Sequence, residues 1–113
     1  MSCRWPSTAC SDALARFDVF GRPDSAPGLL LQVQSDILDG MDTRVMVPLM
    51  PPDRVPRPTH GLHPVFEVEG APYVMVTQLL GALPRHELRR PIASLFHERD
   101  AVTRALDLLL TGF

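Results

Sequence analysis

Apolar and polar residues alternate with a period of two through most of the chain, and the period lengthens to that of a helix only near the end. Residues 16–20 (RFDVF) set Phe17 and Val19 on one side, the pattern of a half-buried strand. Residues 21–28 (GRPDSAPG) are dense in turn formers and predict a loop. Residues 29–34 (LLLQVQ) resume as a strand whose first half is apolar on both faces. Residues 35–42 (SDILDGMD) interrupt it, with acids and a glycine around an isolated Ile37 and Leu38 that are either pinned inward or available to a partner. Residues 43–50 (TRVMVPLM) form the next strand, with Val45 and Val47 on one face and Met46 on the other. Pro48 near its end predicts an edge position or a bulge, because the ring removes a ladder donor. Residues 51–58 (PPDRVPRP) read as a rigid, extended surface connector. A hairpin follows: residues 63–69 (HPVFEVE) alternate, Gly70 and Ala71 make the turn, and residues 72–78 (PYVMVTQ) return. Residues 79–90 are open between a short helix and a loop, and residues 91–95 are a candidate for one further short strand. Five or six short strands with one helix at the end predict a mainly β protein, a small antiparallel barrel with a C-terminal α-helix.

That helix is predicted over residues 98–113, starting near His97 or Glu98, with Glu98 and Asp100 placing acid in its first turn. Val102, Ala105, Leu106, Leu108, Leu109 and Leu110 sweep out an apolar arc about 200° wide, where a helix lying on one core needs roughly 100°. The excess is covered either by a second element of the chain or by another subunit. Gly112 is expected to end the helix in a left-handed conformation. Phe113, with its ring and the terminal carboxylate, is either folded back on its own helix or an anchor for a partner.

At 113 residues the chain is one domain, residues 15–113, preceded by a weakly ordered extension over residues 1–14. Its apolar fraction of 45% and charged fraction of 21% are those of a soluble globular protein, and its formal charge of −2 supplies no footprint for nucleic acid. Twelve prolines, about double ordinary usage, punctuate short strands. Cys3 and Cys10 match neither a CxxC motif nor a disulfide framework, so free thiols in a reducing cytosol are expected. The first residues lack the apolar run of a secretory signal, and no later segment is long enough to span a bilayer.

No catalytic constellation, cofactor motif or metal site is legible. His97 and Glu98 begin like HExxH, but Ala101 stands where the second histidine belongs. His60 and His63 have no cysteine nearby and read as structural or solvated. Ser35 beside Asp36 is an ordinary turn rather than a nucleophile and its base, and there is no GxSxG or glycine-rich phosphate cradle. Arg85, His86, Arg89 and Arg90, offset by Glu87, read as a solvated face.

The runs VQSDILD (residues 33–39) and RVMVPL (residues 44–49), the HPV at residues 63–65 and the ending from His97 to Phe113 resemble the CcdB toxins, gyrase poisons of toxin–antitoxin modules. The likeness runs from about Arg16 to the last residue and leaves residues 1–14 outside it, which makes initiation near Leu14 an expectation that intact-mass measurement checks. The resemblance implies an SH3-like barrel of the CcdB and MazF kind, a homodimer, cytoplasmic action on the A subunit of DNA gyrase without catalysis, and neutralisation by a CcdA-like antitoxin. DNA would be met only indirectly, through gyrase or antitoxin, and no membrane is implied. By position it assigns Thr111, Gly112 and Phe113 to the gyrase-binding tail, Asp107 to a helix-face contact, Ile37 and Leu38 to a partner-binding loop, and Leu109 to the dimer interface.

The chain departs from that pattern at Thr111, where the best-studied members carry tryptophan. An indole stacks on a guanidinium for about 0.5–2 kcal/mol, a contact threonine does not make. Two alternatives follow: a nontoxic member that only binds antitoxin and aids operon repression, and a MazF-like endoribonuclease. The second calls for a basic groove that an acidic chain does not offer.

Overall fold

The longest strand lies at the centre of the sheet and carries a neighbour along each edge. The computed structural model describes residues 15–24 and 26–112. It contains β1 (Asp18–Gly21), β2 (Leu29–Gln32), β3 (Thr43–Met50), β4 (Val65–Val68), β5 (Ala71–Met75), β6 (Gly81–Pro84), β7 (Ala93–Ser94) and the helix α1 (Arg99–Thr111). All pairings are antiparallel, in the order β4-β5-β3-β2-β1-β7, with β6 also on β3. The result is a mainly β, nearly closed barrel with a C-terminal helix, as the alternating pattern predicts. The extension over residues 1–14, with Cys3 and Cys10, lies outside the described residues.

Along one edge β3 pairs with β2; along the other it pairs with β6 through Thr43–Met46 and with β5 through Leu49 and Met50. Pro48 is therefore neither at an edge nor in a bulge, which corrects the sequence expectation. It falls where the second edge passes from β6 to β5, so its missing N–H interrupts no ladder, while its carbonyl accepts from the Val76 amide at 3.0 Å. Pro72 obeys the same rule: it stands opposite Glu67, next to the turn-closing pair Val68 and Ala71, at a position whose nitrogen faces away from β4.

At its centre, along β1, β2 and β3, the sheet carries apolar clusters on both faces. On one side Val19, Leu31, Val47, Leu49, Phe66, Val68 and Met75 form the main core with Leu95 and the Val102, Ala105 and Leu106 stripe of α1. On the other, Phe20, Leu30 and Met46 form a smaller cluster closed by Leu83 and Leu88. This second cluster explains why Phe20 is buried as well as Phe17 and Val19, which belong to the main core. It also explains β6, which the sequence left as helix or loop. GALP has no β-branched or aromatic residue and becomes a strand because it pairs with Thr43–Met46 and lays Leu83 over the cluster. The connector over residues 51–58 is not wholly extended, since Pro52–Arg54 makes one 3₁₀ turn.

The β4–β5 hairpin turns one residue earlier than the sequence suggested, at Glu69 and Gly70, with φ of 52° and 84°. Two positive φ values in a two-residue loop are the signature of a type I′ turn, whose twist matches that of the flanking strands. At the other end of β2, Gly28 has φ of 101°, and a Cβ there would lie 2.5 Å from the Leu49 carbonyl oxygen, so a side chain is excluded. The preceding loop is braced by Arg22, whose guanidinium donates twice to Asp24 at 3.0 Å and holds that carboxyl at a pKa of about 2.

Glu69 is exposed and occupies a left-handed conformation that asparagine tolerates better. Glu69→Asn is expected to stabilise the fold by about 0.5–1 kcal/mol, raising the thermal midpoint by about 2–8 °C. Calorimetry showing no rise would refute this account of the turn.

Candidate partner-binding site

The most exposed of the large apolar side chains among the described residues, Ile37 and Leu110, lie on the connection between β2 and β3 and on the last turns of α1. The connection is a constructed loop. Ser35 Oγ accepts the Ile37 amide at 3.2 Å and starts a 3₁₀ turn over Asp36–Leu38, and Asp36 Oδ1 accepts the Arg16 amide at 2.8 Å. Beneath the turn, Gln34 Nε2 donates to the Leu38 carbonyl, while its Oε1 accepts the Val45 amide. Arg44, fully buried on β3, sends its guanidinium into the loop and donates to the carbonyls of Asp39, Met41 and Thr43. With its polar backbone turned inward, the loop directs its apolar side chains out. Ile37 is 91% exposed, and Leu38 and Met41 are about half exposed.

The helix ends as its sequence predicts. Gly112 has φ of 84°, and its N–H donates to the carbonyls of Asp107 and Leu108, each at 3.1 Å. Its start is later than expected, because residues 96–98 form a 3₁₀ turn and the α-helix begins at Arg99. The wide apolar arc divides into three. Val102, Ala105 and Leu106 face the core; Leu108 meets the segment around Gly61 across a cleft of about 670 Å³ also lined by Val65, Ala101 and Arg104. Leu109 is half-buried and Leu110 is 71% exposed. Of the two expected sources of cover, a second segment of the chain applies in part: it shields one flank and leaves the other open.

Rings and guanidinium groups link the start of the helix to the loop. Arg16 lies 4.8 Å from the Phe17 ring centroid, Phe17 meets Phe96 edge-on at 6.0 Å, and Arg99 covers Phe96 at 4.2 Å. Phe17 holds φ of 76°, unusual for a bulky residue, fixed by its amide on Gln32 and by the Leu95 amide on its carbonyl. The same Arg16 backbone amide anchors Asp36.

The positions singled out from the sequence fall into two groups. Asp107, Leu109, Thr111 and Gly112 share the last turns of α1, with Asp107, Thr111 and Gly112 exposed. Ile37 and Leu38 sit on the loop. Phe113 lies outside the described residues. Thr111 turns its hydroxyl back to the Asp107 carbonyl at 2.7 Å. Met41 and Phe96 are exposed apolar residues the sequence reading did not single out; the apolar residue just before an acidic helix start was the available signal for Phe96.

Among the described residues, no group of three His, Cys, Asp or Glu is placed to hold a metal ion. His63 is structural: Nδ1 accepts the Thr59 amide at 2.7 Å, which leaves Nε2 to donate to Gln78 Oε1, also at 2.7 Å. His86, Arg89 and Arg90 are exposed with Glu87 among them. No described helix is long and apolar enough to cross a membrane.

The fold is a small antiparallel barrel with a terminal helix, and it exposes apolar side chains on a braced loop and on one flank of that helix. Residues 16–112 match the family model described as CcdB protein, and the chain belongs to that family of toxin–antitoxin toxins. No match to a curated protein was found.

A Cβ at Gly112 meets nothing within 4 Å, so only its positive φ opposes substitution. Gly112→Ala is expected to cost about 1 kcal/mol and Gly112→Asn less, as read by urea unfolding. Equal costs for the two would argue against a left-handed cap.

Proposed function

We propose that this chain is a toxin that acts by binding. Two copies pair through the open flank of α1 with Leu109 at the centre, and the helix ends engage the A subunit of DNA gyrase and trap its complex with cleaved DNA. Asp107, Thr111, Gly112 and Phe113 form the gyrase-binding surface, Ile37 and Leu38 the adjoining partner-binding loop. A CcdA-like antitoxin relieves the toxin in the cytoplasm. The observation that carries this reading is the uncovered helix flank, with Leu110 at 71% exposure beside a cleanly capped end, in a chain of the CcdB family.

A second reading draws support from Thr111. Its hydroxyl is engaged by its own helix, which leaves a methyl group where the family pattern places an indole. A loss of about 2 kcal/mol corresponds to roughly thirtyfold in affinity. That is enough to produce a nontoxic member that retains antitoxin and serves operon repression.

Induced expression in a sensitive host and in a gyrase-resistant host separates these readings. Growth arrest in the first host alone, relieved by the antitoxin, is the expected result. Arrest in both hosts would reject gyrase as the target, cleaved transcripts would point to an endoribonuclease, and no arrest with retained antitoxin binding would favour the nontoxic member. Gly112→Glu and deletion of Phe113 are each expected to abolish arrest while circular dichroism stays unchanged. Leu109→Asp is expected to yield monomers by analytical ultracentrifugation, because pairing would bury an uncompensated charge.

A further inference from the structure

Arg44 is an unusual residue to find at 0% exposure on a central strand. Its acidic neighbour, Asp39, is 3.3 Å away with a side chain 58% exposed, and its Nε has no hydrogen-bond partner among the described residues. A buried guanidinium with one N–H unpaired and a partly solvated counter-ion contributes little net stability once desolvation is set against its hydrogen bonds. Its contacts all fall on one segment. Nη1 donates to the Met41 and Thr43 carbonyls, Nη2 to the Asp39 carbonyl, and Gln34 Nε2, two residues past the end of β2, adds the Leu38 carbonyl. Four carbonyls between residues 38 and 43 are thereby drawn inward by two buried side chains. Ile37, Leu38 and Met41 occupy the opposite, exposed side of the same loop.

From this we propose that Arg44, seconded by Gln34, is a positioning residue that sets the shape in which the β2–β3 loop presents Ile37, Leu38 and Met41 to the toxin's protein partner. The inference rests on the partner-binding function proposed above. The rigid planar fork explains the choice of side chain, since it satisfies separate carbonyls at fixed angles. A loop already held in one conformation loses less entropy when a partner seats on it. Removal of the fork releases the carbonyls to water, so the cost appears in binding more than in folding.

The test compares the parent chain with Arg44→Met, Arg44→Lys and Ile37→Ala in two measurements: amide hydrogen exchange, and affinity for purified DNA gyrase A subunit. Leu38, Asp39 and Met41 are the reporting amides, because each donates within the loop. Arg44→Met is expected to accelerate their exchange by about tenfold or more relative to the Val47 amide, and to weaken gyrase A binding by about tenfold or more. Arg44→Lys, which offers donors without the fork, is expected to fall between Arg44→Met and the parent in both. Ile37→Ala is expected to weaken binding while leaving exchange unchanged. Unchanged exchange in Arg44→Met overturns the proposal, as does faster exchange with parental affinity, or full affinity in Ile37→Ala. Should the methionine variant not fold, parental exchange and affinity in Arg44→Lys overturn it. A parent that does not bind gyrase A refutes the proposed target, while the exchange measurement still decides whether Arg44 orders the loop.

Discussion

The strand Thr43–Met50 holds the centre of the sheet and pairs with three others. Its edges hold β2 on one side and β5 and β6 in succession on the other, and its faces feed both apolar clusters, Val47 and Leu49 into the main one and Met46 into the smaller. A strand covered on every side tolerates few errors of register, since a slip by one residue would exchange the two clusters. Pro48 fits because the handover between β6 and β5 leaves one place on the second edge where no donor is needed. Arg44 stands near the beginning of the same strand, so the β2–β3 loop is braced from a buried position at the centre of the sheet.

The sequence made the long strand, the hairpin and the helix legible because each has a strong period and a strong stop. TRVMVPLM is bounded by a turn-rich loop and a proline run, and the helix closes on Gly112. Legibility failed where tertiary contact decides. GALP is a strand only beside Thr43–Met46, and the burial of Phe20 needs a second apolar cluster that no local pattern announces. The hairpin turn slipped by one residue because Glu69 takes a positive φ that its chemistry does not advertise. For the site, Ile37 and Leu38 stood out as apolar residues among acids, and Gly112 as a helix stop. Arg44 passed unnoticed because an arginine on an alternating strand is ordinarily assigned to the solvent face.

The helix shows how one chain serves two demands. Its stripe of Val102, Ala105 and Leu106 closes the barrel, and Leu108 rests by the segment that His63 bolts to Gln78. Leu109 and Leu110 lie beyond the reach of that cover. The division follows from the helical period: an apolar arc twice as wide as one core requires must leave half its residues to something else.

The short strands at the margins of the sheet have a consequence for self-association. β7 is two residues long, and β4 and β6 are four residues each, with β6 closing on Pro84. Borders so brief offer an approaching backbone too few unpaired amides to template a growing ladder. Concentrated material is therefore shielded from runaway fibre growth, and any assembly must be written in side chains, where composition can set its specificity.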